Sequence, residues 1–335
     1  MPVENTQELV ALDHLNCVVD QALASLGIEK QERDIIREVL IYAETRGSSQ
    51  GLIKIRERTV LPDENCTDIL IDNKTPSISR INGGGHTGMY VLHQATREAV
   101  KNVATTGIAL VSTHNTRSST GSIGYYARQL ANEGYVAMVL AGSPKVMAME
   151  GGIDPVLGTN PIALSIPTED EPLVLDMATA STTWFAVINA RDNNHNLPDG
   201  YAYDAHGQAT VNPAEAMKGA LKTFGGAKGS GLALMFEFLT GVLGNASLFG
   251  DAEDNRSNTI IAIDPEAIES GFKSRASDLI AKLKASRTQP ADQNDSRASL
   301  RLPGEESNTC AAQCVRDNSI TIDARLYQHL LQLAS

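Results

Sequence analysis

Two apolar runs, Pro161–Pro167 and Pro172–Met177, are separated only by the polar residues Thr168–Glu171. Runs of that length with a four-residue polar link read as two paired strands joined by a turn. The hairpin constrains the surrounding chain, because each strand end must now present its flanking loop at one edge of a sheet. A compact loop, Leu157-Gly158-Thr159-Asn160-Pro161, enters the first strand, and Asp176 closes the second. Small and polar residues at strand ends are where a sheet presents a ligand. The same residues also suit a plain hairpin in a mixed sheet.

The chain around this hairpin has 335 residues, enough for one large or two moderate domains with a buried core. A net charge of −12 argues against non-specific binding to nucleic acid or to an anionic membrane, both of which need a basic face. A local cationic pocket for a small acid stays open. Cys17, Cys66, Cys310 and Cys314 form no CxxC pair and have no histidine-rich partner set, so no metal is expected. Cys310 and Cys314 would share one face of a helix. The N-terminal residues lack a basic region followed by an apolar core, and no run is long enough to span a bilayer. A cytoplasmic protein without membrane or nucleic-acid partners is the expectation.

Along the chain, residues 12–26 and 29–46 read as amphipathic helices broken at Gly27. Strands are expected at 68–71 and 77–81, with Asp72-Asn73-Lys74 as the turn. A helix at 89–105, a strand at 108–112, a loop at 113–121, a helix at 122–133 and a strand at 135–141 follow. Beyond the hairpin come a helix at 180–191, a polar loop, an apolar helix within 224–244 and a strand at 259–263. Residues 285–300 are polar and read as a mobile surface loop. A helix at 306–316, a strand at 319–322 and a helix at 324–334 close the chain.

INGGGHTG, residues 81–88, formally contains GxGxxG. A dinucleotide fingerprint needs a buried strand before it and an acid about twenty residues after it. Neither is present, so the segment reads as a tight turn. FGGAKGSGLAL, starting at Phe224, is a glycine-rich loop entering a helix, a setting that favours anions. It is not a Walker loop, because Lys228 precedes Gly229 rather than Ser or Thr. Helices and strands intersperse without a regular βαβ rhythm, so a doubly wound sheet is not implied.

LGTNP (157–161), LDMAT (175–179) and GGAKGSGLAL (225–234), in that order, resemble the type 2 malate/L-lactate dehydrogenase family. That group includes malate, lactate, sulfolactate and ureidoglycolate dehydrogenases and reductases of cyclic imino acids. The resemblance covers most of the chain. It implies a mixed α/β fold: a non-Rossmann, largely antiparallel sheet (111–299) for NADPH or NADH, plus a helical substrate domain built from residues 1–110 and 300–335. It also implies a homodimer. The cofactor would lie along Ser143, Thr159, Asn160, Pro161, Asp176, Met177, Ala178, Lys228, Gly304 and Glu305. Lys228 would meet a phosphate and Asp176 the ribose hydroxyls. Arg46, Lys54, Thr159 and Asn160 would hold a small anionic substrate.

Two family motifs are altered. In place of RG-x-x-SHG-x-x-R the chain has Arg46-Gly47-Ser48-Ser49-Gln50-Gly51-Leu52-Ile53-Lys54, with glutamine for the proton-donor histidine and lysine for the carboxylate-gripping arginine. Ser119 stands at the second family histidine, and His114 lies five residues earlier in the same loop. Glutamine donates a hydrogen bond but cannot shuttle a proton at neutral pH, and lysine keeps the charge but loses the bidentate fork. A 2-oxo acid needs a positioned acid, worth ~10²–10⁴-fold, whereas a cyclic imine has a basic nitrogen that can be protonated before hydride arrives. Ser49, Gln50 and Ser119 would then suffice. The expectation is a reductase of Δ1-pyrroline- or Δ1-piperideine-2-carboxylate, giving L-proline or L-pipecolate. The alternatives are a 2-hydroxy-acid dehydrogenase in which His114 or a water replaces the missing acid, and a catalytically silent NAD(P)H-binding paralogue. The segment Leu248–Thr259 is short for the family and would supply no substrate contact.

Overall fold

The computed structural model describes residues 7–248, 256–286 and 300–335. The chain starts with β1 (Gln7–Ala11) and α1 (Leu12–Ser25), which buries Leu12, Leu15, Val18, Val19 and Leu23 at helical spacing. Gly27, in the left-handed region, turns it into α2 (Lys30–Glu44), and one helical turn, α3 (Ile53–Arg56), follows a tight loop. β2 (Leu70–Thr75) and β3 (Ile78–Asn82) form a hairpin. Next comes α4 (Gly88–Thr106), capped by the Thr87 hydroxyl and stopped by left-handed Gly107. Then come β4 (Ile108–His114), α5 (Gly124–Asn132), β5 (Val136–Ala141) and the hairpin of β6 (Ile162–Ile166) and β7 (Leu173–Met177). After α6 (Trp184–Asp192), the short strands β8 (Ala202–Tyr203) and β9 (Ala209–Thr210), the turn α7 (Pro213–Ala216) and β10 (Ala220–Leu221) form a small sheet unit. α8 (Ala227–Glu237) widens into a π-helical turn over Phe238–Val242. β11 (Asn258–Ile263), α9 (Phe272–Lys284), α10 (Glu305–Asp317), β12 (Ser319–Asp323) and α11 (Ala324–Ala334) complete it.

The main sheet has the order β2-β3-β4-β11-β5-β6-β7. Only β3 and β4 run parallel, and α4 is the crossover that such a pair requires. All other neighbours are antiparallel, so the sheet is mixed and largely antiparallel rather than doubly wound. This register sets the C-terminal ends of β3, β4, β5 and β7 beside the N-terminal ends of β11 and β6. Their loops therefore gather on one rim. Val91, Leu92, Ala95, Ala99 and Val103 of α4 share one buried core with Ala109, Val111 and Ile260 of the sheet. The chain ends meet separately: β1 pairs antiparallel with β12, and α1 packs on α11. Thus the helical body draws on both ends, while β2 and β3, which precede residue 110, extend the sheet.

Three local differences from the sequence reading have physical causes. The first hairpin turns at Pro76-Ser77 rather than at Asp72–Lys74, because proline lacks the N–H needed to continue a ladder. A register shift between Asn73 and Thr75 accommodates Lys74. α3 is too short for periodicity to reveal. α9 does carry a signal, with Ala276, Leu279, Ile280 and Leu283 at helical spacing, yet none of its residues is buried. Residues 81–88 do form a tight turn: the Gly83 and Gly85 amides donate to the His114 and Asn115 carbonyls and so cannot cradle a phosphate. Of the polar stretch 285–300, residues 287–299 lie outside the described residues.

Candidate active site

Backbone hydrogen bonds on the rim join the three motifs. The Asn160 amide donates to Ser143 Oγ at 3.1 Å, and the Ser143 and Thr159 hydroxyls stand 3.2 Å apart. Thr179 donates its amide and its hydroxyl to the Thr159 carbonyl, at 2.9 and 2.8 Å. Phe224 then donates to the Thr179 carbonyl, and Gly229 to that of Phe224. A Cβ at Gly158 would sit 2.3 Å from the Ser143 carbonyl oxygen, so only glycine permits this approach. Pro161, Met177 and Ala178 are half-buried around the same turn. Asn160 departs from the role read for it. It is fully buried, and its Nδ2 donates to Glu237 Oε2 (2.8 Å) and the Ala233 carbonyl (3.1 Å). Its side chain clamps the turn onto α8. Lys228 is exposed in the first turn of α8, just after the positive-φ Gly225 and Gly226.

Beside this turn lies a recess of about 190 Å³ that Tyr42, Arg46, Ser122, Asp176, Gly304 and Asn308 help to line. One carboxylate oxygen of Asp176 accepts from the Ser122 hydroxyl (2.6 Å) and the Gly124 amide (2.8 Å), capping α5 from outside. Crowding protein raises its pKa, and those two donors oppose the rise. The Arg46 guanidinium stacks 3.7 Å from the Tyr42 ring centroid, and its Nε is buried without a hydrogen-bond partner. Arg46, read as a substrate contact, thus stands with Asp176 and Gly304. A Cβ on Gly304 would meet the Val174 carbonyl oxygen at 2.6 Å. Glu305 turns away: it pairs with Lys284 and accepts from the Leu302 amide. An acid with an oxygen to spare and an arginine with an unused N–H suit a ribose-phosphate group, and exposed Lys228 at the α8 N-terminus suits a phosphate.

The turn that follows α2 folds back on Glu44. The Leu52 amide donates to Glu44 Oε2 at 2.8 Å, and a Cβ on Gly51 would come within 2.0 Å of that oxygen. Lost hydration pushes the Glu44 pKa up to about 7, with the Leu52 N–H pulling the other way. Ser49 and Thr183 hydroxyls are 2.7 Å apart, and half-buried Gln50 donates its amide to Ser48 Oγ. Lys54 is 0% exposed, its Nζ makes no hydrogen bond, and it lies 3.5 Å from the Phe185 ring centroid. Burial, then the charge of Arg256, draw its pKa well below the usual lysine range.

Ser119 donates its amide to the Thr59 carbonyl, and the Thr59 amide in turn donates to the Lys54 carbonyl, so Ser119 is tied through the backbone to the end of α3, while its hydroxyl accepts from the Gly121 amide. His114 stands elsewhere, beside Arg80 at the end of β4. Burial and then that guanidinium lower its pKa from the usual histidine value. Arg256 went unread in the sequence. It donates to the Ser118 carbonyl at 2.8 Å and acts on Lys54, so the short segment does bring a cation to this group. Its signal was its being the sole cation in the acidic run 251–257. Thr183, Phe185 and Glu44 carried no chemical signature and were missed. Residues 249–255 lie outside the described residues.

Residues 10–331 match the family model described as malate/L-lactate dehydrogenase. The chain is 28% identical to the L-sulfolactate dehydrogenase of Methanothermobacter thermautotrophicus, over 95% of this chain and 94% of that one. It is 26% identical to the ureidoglycolate dehydrogenase (NAD(+)) of Escherichia coli O157:H7, over 96% and 95%. The solved Δ1-piperideine-2-carboxylate reductase of Pseudomonas syringae shares the fold, with a TM-score of 0.85 at 23% identity over 97% of this chain and 99% of that one.

Proposed function

This chain belongs to the malate/L-lactate dehydrogenase family and is an NAD(P)-dependent oxidoreductase; within that activity we propose that it reduces a small cyclic 2-imino carboxylic acid. The substrate would be Δ1-pyrroline-2-carboxylate or Δ1-piperideine-2-carboxylate, and the product L-proline or L-pipecolate. When bound, the reduced nicotinamide supplies the hydride. One observation carries the reading: the Lys54 amine is fully buried with no hydrogen-bond partner, and glutamine and serine stand where the family carries its proton-donor histidines.

In this reading Lys54 takes the substrate's carboxylate, and the binding of that anion restores the ammonium's charge. Ser49, Gln50 and Ser119 hold the ring nitrogen, which arrives protonated from water. The new C–H bond forms at C2, and the electron pair of the C=N bond moves onto nitrogen. Arg46, Asp176, Gly304 and Lys228 hold the cofactor, NADH or NADPH. Exposed Met235, Phe238, Leu239, Val242 and Leu243 form an apolar row on α8 and its π turn that supports a homodimer. Four unpaired cysteines suit a reducing, cytoplasmic setting.

A second reading, a 2-hydroxy-acid dehydrogenase, is favoured by the names of the relatives, among them L-sulfolactate dehydrogenase. Purified protein assayed on a panel of cyclic 2-imino and 2-oxo acids with each cofactor separates the two. Turnover of the imines supports the proposal. Turnover confined to 2-oxo acids overturns it.

A further inference from the structure

The surroundings of Lys54 raise a question that carboxylate binding alone does not answer. A buried ammonium is ordinarily held by an acid. Here the nearby acids Glu57 and Asp192 both pair with Arg56. The Lys54 Nζ rests instead on an aromatic face, and the charged group acting on it is Arg256, a second cation.

A ring and a carboxylate hold a cation in different ways. A carboxylate would neutralise Lys54 and compete with the carboxylate of an incoming acid. An aliphatic side chain would leave the ammonium without electrostatic support. A ring quadrupole attracts the cation yet offers no lone pair, so the N–H groups remain available. The place of the ring is well defined. Phe185 is the second residue of α6, whose start is set by the Thr183 cap and by the Ser49–Thr183 hydrogen bond.

We propose that Phe185 is the positioning residue of the carboxylate grip: its ring holds the Lys54 amine in place and leaves its N–H groups free for the substrate's carboxylate, whose arrival restores the charge. This rests on Lys54 receiving the substrate's carboxylate, but not on whether the substrate is an imine or a ketone.

The test compares Phe185→Leu, Phe185→Trp, Lys54→Met and the Lys54→Met/Phe185→Leu pair, using whichever acid of the panel is turned over. Melting curves and cofactor titration by fluorescence identify any variant that has lost its fold. Phe185→Leu is expected to raise KM about tenfold while kcat falls less than about threefold, and Phe185→Trp to restore KM. On the Lys54→Met background, Phe185→Leu should add nothing. Equal KM values for the Leu and Trp variants, or full additivity with Lys54→Met, would reduce the ring to packing and overturn the proposal. If only 2-oxo acids are turned over, the imine reading falls and this test stands, because a 2-oxo acid presents the same carboxylate.

Discussion

The hydroxyls of Ser49 and Thr183 stand 2.7 Å apart although 134 positions separate them in the chain. Thr183 also caps α6 by accepting from the Ala186 amide at 3.2 Å. One side chain therefore fixes the start of a helix and ties it to the turn that carries Gln50 and leads to Lys54. Phe185 under Lys54 and Asp192 paired with Arg56 add two more contacts between α6 and α3.

Thr183→Ala removes the cap and the tether together. Unfolding in urea should show a loss of about 1 kcal/mol, accompanied by a higher KM. Thr183→Ser keeps the hydroxyl and should recover most of both. A serine variant no better than alanine would show that the hydroxyl is not what matters.

Glu44 should make stability depend on pH. Its pKa is raised from 4.5 to about 7 in the fold, so the neutral form is the one folding favours. The sign follows: the contribution is complete below the unfolded value, 4.5, and is lost as pH rises through about 7. At most it amounts to about 3 kcal/mol. Glu44→Gln keeps an acceptor for the Leu52 amide and cannot ionise. Relative to wild type it should gain stability between about pH 4.5 and pH 7 and level off above that in urea titrations. A difference that stays constant over that range would remove Glu44 as the titrating group.

Asn160→Asp would set a carboxylate against Glu237, where Nδ2 now donates at 2.8 Å. Two buried acids in contact should cost about 3 kcal/mol or more, read by chemical denaturation. A variant as stable as wild type would contradict the clamp.

Lys228 is exposed, and in the proposed reading it meets a cofactor phosphate, so Lys228→Ala should weaken the cofactor and spare the fold. Fluorescence titration should show about a tenfold rise in Kd, with stability changed by less than about 0.5 kcal/mol. An unchanged Kd would move the phosphate contact elsewhere.

The apolar row on α8 predicts self-association. Val242→Asp, at a position 50% exposed in the single chain, should shift the protein toward monomer in sedimentation or light scattering. A variant that keeps the mass of the unaltered protein would place the association on another face.

The limits of the sequence reading are clearest where burial decides a role. The family resemblance gave Asp176 as a ribose contact, but that one of its oxygens caps α5 depends on Ser122 and Gly124, about fifty residues earlier. Arg46 was read with the substrate because it lies in the same short motif as Gln50. In space the motif diverges, and its first residue opens into the recess of Asp176 and Gly304. Phe185 had no chance of being read, since an aromatic residue in a helix is ordinarily core.

The sequence alone determined the β6–β7 hairpin, the long helices and the glycine turns, along with the motifs that mark the family. Those features depend on side-chain periodicity and backbone freedom over a few neighbouring residues. Only the tertiary structure decided that Lys54 is buried on Phe185, that Ser49 meets Thr183, that His114 lies beside Arg80 and that the Asn160 side chain is held by Glu237. Each is a matter of which distant residues exclude water from a group or complete its hydrogen bonds, and local pattern carries no record of that.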